Sequence, residues 1–281
     1  MSGGAADPLP AVAETDAAGE TAALYDDIRA TLGVPVVNLV WRHLATFPGA
    51  LPWCWAALKP VYESGAVSVA ADGLKDSLDL PVIPPIPTAV LRAAGVDADG
   101  EAQIRTVLAS YNRSNAMNLI ALTALVMALK DEPAMGPPPT AQPADDGVAG
   151  QLPPLLSLAD MPEHVAALIE ELNRLGDRED GRVMATMYRH LAHWPGFLAM
   201  LWALFAPMAA SGRLELAIDG AFDAGRQRAA WMLAGIGKPD ADLDADVREQ
   251  LLATLARFTG NLIGKMIPIG LMLDRAMPGD D

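Results

Sequence analysis

Residues 41–49 read Trp-Arg-His-Leu-Ala-Thr-Phe-Pro-Gly, and residues 188–196 read Tyr-Arg-His-Leu-Ala-His-Trp-Pro-Gly. The likeness continues without a gap, at a constant offset of 147 residues, to the pairs Trp55 and Trp202, Pro60 and Pro207, and Ser64-Gly65 and Ser211-Gly212. This offset is far longer than a solenoid repeat, so it indicates a duplicated half rather than an array. We therefore expect two halves about a pseudo-two-fold axis, with a pocket between them lined by equivalent positions.

The spacing of apolar residues predicts the fold class. Apolar residues recur with helical period, alternating patterns are almost absent, and Ala, Leu and Met dominate. This pattern predicts an all-α protein made of two fused helical repeats that pack as a pseudo-dimer. We place the first repeat at residues 1–132, a linker rich in Pro, Ala and Asp at 133–150, and the second repeat at 151–281. The prolines of residues 81–87 predict an extended connection.

Composition limits the compartment and the partners. The 281 residues carry a formal charge of −15, which argues against nucleic acid and anionic membranes as partners. Apolar runs stay below the roughly 20 residues of a membrane span, and the longest, residues 197–210, predicts a buried helix. The start of the sequence lacks a signal-peptide pattern, and the single cysteine, Cys54, excludes an internal disulfide. We expect a cytoplasmic monomer or homodimer that acts on a small molecule, in the simplest case a short organic acid.

Several short motifs resemble those of one enzyme family, the group I α-haloacid dehalogenases. They lie in the family's order along nearly the whole chain: Ile28-Arg29 to Val34-Pro35, Leu44 to Gly49, Tyr111-Asn112 with Asn115, Leu122 to Leu125, and Leu191-Ala192 with Trp194-Pro195. The resemblance implies an all-helical, two-repeat, cytoplasmic enzyme that hydrolyses 2-haloalkanoic acids. It also implies that the reaction needs no metal and no cofactor.

The resemblance implies a mechanism and a set of site residues. In that family a carboxylate activates a water molecule, which displaces halide directly at the α-carbon, and an asparagine helps to hold the water. The asparagine corresponds to Asn115. The aspartate position, seven residues before Trp194, is Met187 here, and a thioether accepts no proton at neutral pH. Other substrate-binding positions also depart from the family's pocket lining: Val36, Leu39, Asn118, Thr186 and Leu255.

Two repeat-equivalent histidines are candidates to replace the missing carboxylate. His190 lies three residues beyond Met187, and His43 lies three beyond the equivalent Val40, so each shares a helical face with a pocket position. An imidazole with a pKa of about 6.5 is a competent base at pH 7. His190 is therefore the first candidate base and Asp180 the second, with His43 among the substrate contacts. The alternatives are that the histidines only pack helices and that Asp180 caps a helix.

The leading expectation is hydrolysis of a small 2-haloalkanoic acid by direct attack of an activated water. A second possibility is a binding protein on the same scaffold, because Met187, Val36, Leu39 and Leu255 indicate an apolar pocket. In that case His43 and His190 would bind a metal or ligate haem. A third possibility is an enzyme of unrelated reaction type on the duplicated scaffold.

Overall fold

The computed structural model describes residues 9–137, 141, 147–178, 183–240 and 242–279. Over these residues the chain forms α-helices and no β strand, which confirms the predicted all-α fold. The first half contains α1 (Gly19–Leu32), α2 (Leu39–Leu44), α3 (Ala50–Glu63), α4 (Ala66–Ser77), α5 (Thr88–Ala93) and α6 (Ala98–Leu129). The second half contains α7 (Glu163–Arg174), α8 (Thr186–Leu191), α9 (Pro195–Ala210), α10 (Arg213–Met232), α11 (Ala245–Arg257) and α12 (Ile263–Ala276).

The helix bounds repeat with the offset seen in the sequence. Helix α2 begins at residue 39 and α8 at 186, and α4 begins at 66 and α10 at 213. The turns before α4 and α10 are made by Gly65 and Gly212, whose φ angles of 73° and 74° favour glycine. The long helix α6 corresponds to α11 and α12 together, since these span residues 245–276. The second copy is interrupted by a π-helical turn, Phe258–Leu262, whereas α6 is continuous.

The core is shared between the halves because α6 packs against α10 and α12. Glycines allow these helices to approach closely. A Cβ atom added to Gly225 would lie 2.6 Å from Leu119, and one added to Gly270 would lie 2.1 Å from Asn112. The two halves therefore form one interlocked bundle at α6.

The connections follow the sequence in part. Residues 78–87 form no helix, as the prolines predict, and Ile86 N–H donates to the Ala276 carbonyl at the end of α12 (2.7 Å). In the described parts of the linker, Met135 N–H donates to Ala230 and Val148 N–H to Gly33. Gly33 ends α1, with φ of 64°. The limits of the two repeats stay a prediction.

Helix α9 corrects one expectation. Residues 197–210 are helical, but only one face of α9 is buried, through Phe197, Leu198, Leu201 and Phe205. Trp55 is 2% exposed and bonds Asp27, whereas its repeat equivalent Trp202 is 44% exposed. The prediction of a buried helix was wrong because α9 has apolar residues on both its inner and its outer face.

The lengths of the helices bear on the expectation about membranes. In the described part of the chain, no helix is by itself long and apolar enough to cross a membrane. Helices α9 and α10 reach that length and composition only as a pair, and they are bent by 86° at the break between them.

Candidate active site

A small cavity lies where the short helices α2 and α8 meet the long helices of the two halves. Its volume is about 20 Å³, and a buried water needs about 10–15 Å³, so it has room for about one water molecule. The lining residues are Asn38, Leu39, Val40, Tyr111, Asn115, Ala185, Thr186, Met187, Phe258, Leu262, Ile263 and Met266.

Ten of these residues form five pairs at the 147-residue offset: Asn38 with Ala185, Leu39 with Thr186, Val40 with Met187, Tyr111 with Phe258, and Asn115 with Leu262. In four of the five pairs the two members differ in polarity, and the exception is Val40 with Met187. The first half contributes two amides and a phenol, and the second half contributes apolar side chains apart from Thr186. The cavity therefore has a polar wall from one half and a mainly apolar wall from the other.

Aromatic contacts cross between the halves around the cavity. Tyr111 of α6 donates from its hydroxyl to Thr186 Oγ1 of α8 (2.8 Å), and its ring lies 5.9 Å from the His190 ring. Phe258, the repeat equivalent of Tyr111, lies 6.0 Å from the ring of His43. Such crossed, equivalent contacts are expected of two halves that pack about a local two-fold axis.

The structure places four of the predicted site residues together. Asn115, Leu39, Thr186 and Met187 line the cavity, whereas the other described candidates are buried and are not part of the lining: Val36, His43, Asn118, His190 and Leu255. Asp180 lies outside the described residues. The functional roles of all these residues stay predictions.

Asn118 has partners away from the cavity. Its Oδ1 accepts hydrogen bonds from Trp41 Nε1 (3.2 Å) and from the Tyr62 hydroxyl (2.8 Å). The repeat-equivalent position, 147 residues further on, is Lys265. Asn118 thus fastens α2 and α3 to α6.

Sequence reasoning missed Asn38, Tyr111 and Phe258 as lining residues. Asn38 directly precedes α2, one position before the predicted Leu39. Tyr111 and Phe258 form a pair at the repeat offset, on the long helices. Extending the offset of 147 beyond residue 65 would have found the aromatic pair.

Each histidine of the repeated motif is bonded to a proline carbonyl. His43 Nδ1 lies 2.6 Å from Pro10 O, and His190 Nδ1 lies 2.9 Å from Pro153 O. Because a carbonyl only accepts, Nδ1 carries the proton in both rings and Nε2 carries the lone pair. His190 Nε2 is buried and has no hydrogen-bond partner among the described residues. Burial lowers the pKa of His43 and lowers that of His190 to about 4, so both rings are neutral at pH 7.

Comparisons with known proteins place this chain in a family. No family model matches the chain. It is 33% identical over 208 residues to a configuration-inverting 2-haloacid dehalogenase of Alcaligenes xylosoxydans xylosoxydans, a match that covers 72% of this chain and 70% of that enzyme. The chain belongs to the group I 2-haloacid dehalogenase family.

Further relatives agree with the family over shorter stretches. A configuration-inverting 2-haloacid dehalogenase of Pseudomonas sp. (strain 113) is 32% identical over 117 residues, 41% of this chain and 38% of that enzyme. An (R)-2-haloacid dehalogenase of Pseudomonas putida is 35% identical over 74 residues, 24% of this chain and 25% of that enzyme.

Solved structures of D-2-haloacid dehalogenases share the fold. The complex with L-LA superposes with a TM-score of 0.76 at 19% identity and covers 95% of this chain and 96% of that chain. A mutant complex with D-2-CPA gives a TM-score of 0.75 at the same identity, covering 95% of this chain and 96% of that chain. The all-α architecture is therefore that of the 2-haloacid dehalogenases.

This member of the dehalogenase family has no acidic side chain in the described lining of the cavity. Charges of both signs act near the cavity. Arg42, Glu14 and Arg189 act electrostatically on the Tyr111 hydroxyl, and Arg42 and Arg189 also act on the His190 ring.

The described residues contain no ready-made metal-binding cluster. Over residues 9–137, 141, 147–178, 183–240 and 242–279, no group of three or more His, Cys, Asp or Glu side chains is placed to bind a metal ion. Both Nδ1 atoms of His43 and His190 are bonded to the backbone, so either ring could ligate a metal or haem only through Nε2.

A buried ion pair supports the elements that flank α8. Lys265 of α12 is 0% exposed, and its Nζ donates to the Asn173 carbonyl (2.5 Å) and to the Asp177 carboxylate. Burial lowers the pKa of Lys265, and the Asp177 charge opposes that shift.

The low pKa of His190 predicts a pH-dependent stability. Between about pH 6.5 and pH 4 the unfolded chain binds a proton at this ring and the folded protein does not. The free energy of unfolding is therefore expected to fall by about 3 kcal/mol, on account of His190, as the pH decreases through this range. Urea unfolding of the unmodified protein and of His190→Gln at several pH values measures this difference. An identical pH dependence in both proteins would contradict it.

Proposed function

We propose that this protein hydrolyses short 2-haloalkanoic acids in the cavity between α2 and α8 by direct attack of water. The observation that supports the proposal is the position of Asn115, the family's water-holding residue, in the wall of a water-sized cavity. The water oxygen forms a bond to the α-carbon while the carbon–halogen bond breaks, and the halide leaves with the bonding electron pair. The product is the 2-hydroxy acid of inverted configuration, in line with the names of two of the relatives.

The proton of the attacking water is assigned to His190. Its ring is neutral, its Nε2 lone pair has no partner among the described residues, and it packs against Tyr111 of the cavity wall. A base whose pKa is about 4 is fully available at pH 7 but gives a small driving force for proton transfer. We therefore expect slow turnover. Asp180 remains the second candidate for this role.

The leaving halide is assigned to the wall contributed by the second half. Displacement at carbon requires the water and the halide on opposite sides of the α-carbon. Asn38 and Asn115 belong to the first half, while Met187 and Met266 belong to the second. The polarizable thioethers of Met187 and Met266 can pack against the carbon-bound halogen of the substrate. Because the cavity holds only about one water, substrate binding must widen it, and the π-helical turn at Phe258–Leu262 is the break in the adjoining long helix.

Halide release from D- and L-2-chloropropionate tests the proposal. We expect the purified protein to release chloride from at least one enantiomer and to form lactate of inverted configuration, identified by chiral chromatography. In H2¹⁸O under single-turnover conditions, the label is expected in the first product formed, because no ester to the protein intervenes. The control is Asn115→Ala, which should lower kcat about 100-fold. Absence of chloride release from both enantiomers would contradict the proposal.

A further inference from the structure

Asn38 is a buried amide at the N-terminal end of α2 that neither the family resemblance nor the repeat motif singles out. It is 6% exposed and lines the cavity. Its Nδ2 donates to Ser114 Oγ (2.9 Å) and to Asn115 Oδ1 (3.4 Å). Both amide hydrogens are thus directed at acceptors on α6, which fixes the orientation of the Asn38 side chain.

The Asn38 carbonyl oxygen lacks a partner. Asn38 Oδ1 is buried and accepts no hydrogen bond from the described residues. Buried polar atoms in proteins are nearly always bonded to protein or to ordered water. The cavity that Asn38 lines has room for about one water molecule. A water in the cavity is therefore the natural donor to this oxygen.

Asn115 supplies the complementary group. Its Oδ1 already accepts from Asn38, so its Nδ2 is the atom left to donate. The two amides of the polar wall thus offer one acceptor, Asn38 Oδ1, and one donor, Asn115 Nδ2. A water molecule has two hydrogens and two lone pairs. Held by these two atoms, it keeps one hydrogen for a base and one lone pair for the substrate carbon.

We propose that Asn38 is a second water-holding residue, which binds the nucleophilic water through Oδ1 and orients Asn115 through Nδ2. This inference rests on the proposed function for the use of that water. According to this inference, Asn38 of the first half supplies the hydrogen-bond acceptor that Met187 of the second half lacks. An amide oxygen accepts a hydrogen bond but takes no proton, so Asn38 positions the water and the base remains a separate group.

A crystal structure and the kinetics of Asn38→Leu test this inference together. Leucine has the same branched shape and number of non-hydrogen side-chain atoms as asparagine, and no polar atom. In crystals of the unmodified protein we expect a water about 2.7–3.1 Å from both Asn38 Oδ1 and Asn115 Nδ2, and no such water in the variant. For chloride release we expect kcat to fall about 10- to 100-fold with little change in KM and an unchanged pH profile. Asn38→Ala serves if the leucine variant does not fold.

Thr46→Val is the matched control, because Thr46 follows α2, bonds only the His43 carbonyl among the described residues and does not line the cavity. Its kcat should equal that of the unmodified protein. An empty cavity in the unmodified crystal, or an unchanged kcat in Asn38→Leu, would overturn the inference. If the unmodified protein releases no chloride, the proposed function fails, and the presence or absence of the bridging water alone decides whether Asn38 holds water.

Discussion

Replacing Met187 by aspartate is expected to raise the rate of chloride release from 2-chloropropionate by about 100-fold. Met187 lies in the wall of the cavity, at the position that carries the water-activating carboxylate according to the family resemblance. A positioned general base contributes about 10²- to 10⁴-fold to a reaction rate. The existing candidate, His190, is not part of the lining and has a pKa lowered to about 4 by burial. A carboxylate in direct contact with the water should therefore dominate the rate.

Met187→Asn is the control for this variant, since it has the size and polarity of aspartate without its basicity. Initial rates of chloride release across pH 5–9 compare the two variants with the unmodified protein. Because burial raises the pKa of a carboxyl group, the gain should grow with pH until the aspartate ionises. Equal rates in all three proteins would show that position 187 does not contact the reacting water. Equal gains in both variants would show that polarity, rather than a base, had been missing.

Removing the Asp177 carboxylate is expected to lower the free energy of unfolding by about 3–5 kcal/mol. Lys265 is entirely buried, and Asp177 is the only carboxylate among the described residues that pairs with it. In Asp177→Ala the ammonium group would stay buried with only the Asn173 carbonyl as partner. An unpaired buried charge carries a desolvation cost that no remaining contact offsets.

The double variant Asp177→Ala, Lys265→Met distinguishes charge from shape. Because methionine removes the charge and keeps most of the side-chain length, the double variant should recover most of the stability lost in Asp177→Ala. Urea unfolding followed by circular dichroism at pH 7 measures all the variants. Additive losses in the double variant would mean that the two side chains contribute by packing rather than as a pair.

Local signals in the sequence account for much of the fold. Helical apolar spacing predicted the all-α class, and prolines predicted the extended residues 81–87. Gly65 and Gly212 lie in turns that need positive φ, directly before α4 and α10. Their spacing of 147 residues therefore agrees with the matching starts of these two helices. The exposed face of α9 was not predictable in this way, because an apolar sequence does not show which of its faces meets the core.

The site was predictable only in part. Helical spacing placed His43 and His190 beside the pocket positions three residues earlier, but α2 and α8 have six residues each and are buried on every side. On such a short, enclosed helix a shared face does not mean a shared cavity, and both rings turn to proline carbonyls instead. Tyr111 of the first half contacts Thr186 and His190 of the second half. These contacts depend on how the two halves pack against each other, which the sequence of one half does not show.

Four of the five lining pairs combine a polar and an apolar residue, and this has a consequence for how such a pocket can change over evolutionary time. In a dimer of two identical chains, every mutation at the axis would enter the pocket twice. When both copies lie in one chain, each member of a pair can change alone. One position can therefore hold the amide Asn115 while the equivalent position holds the apolar Leu262. Position 187 can therefore gain or lose an acid without altering Val40 across the axis, and the chemistry of the pocket can be revised one residue at a time.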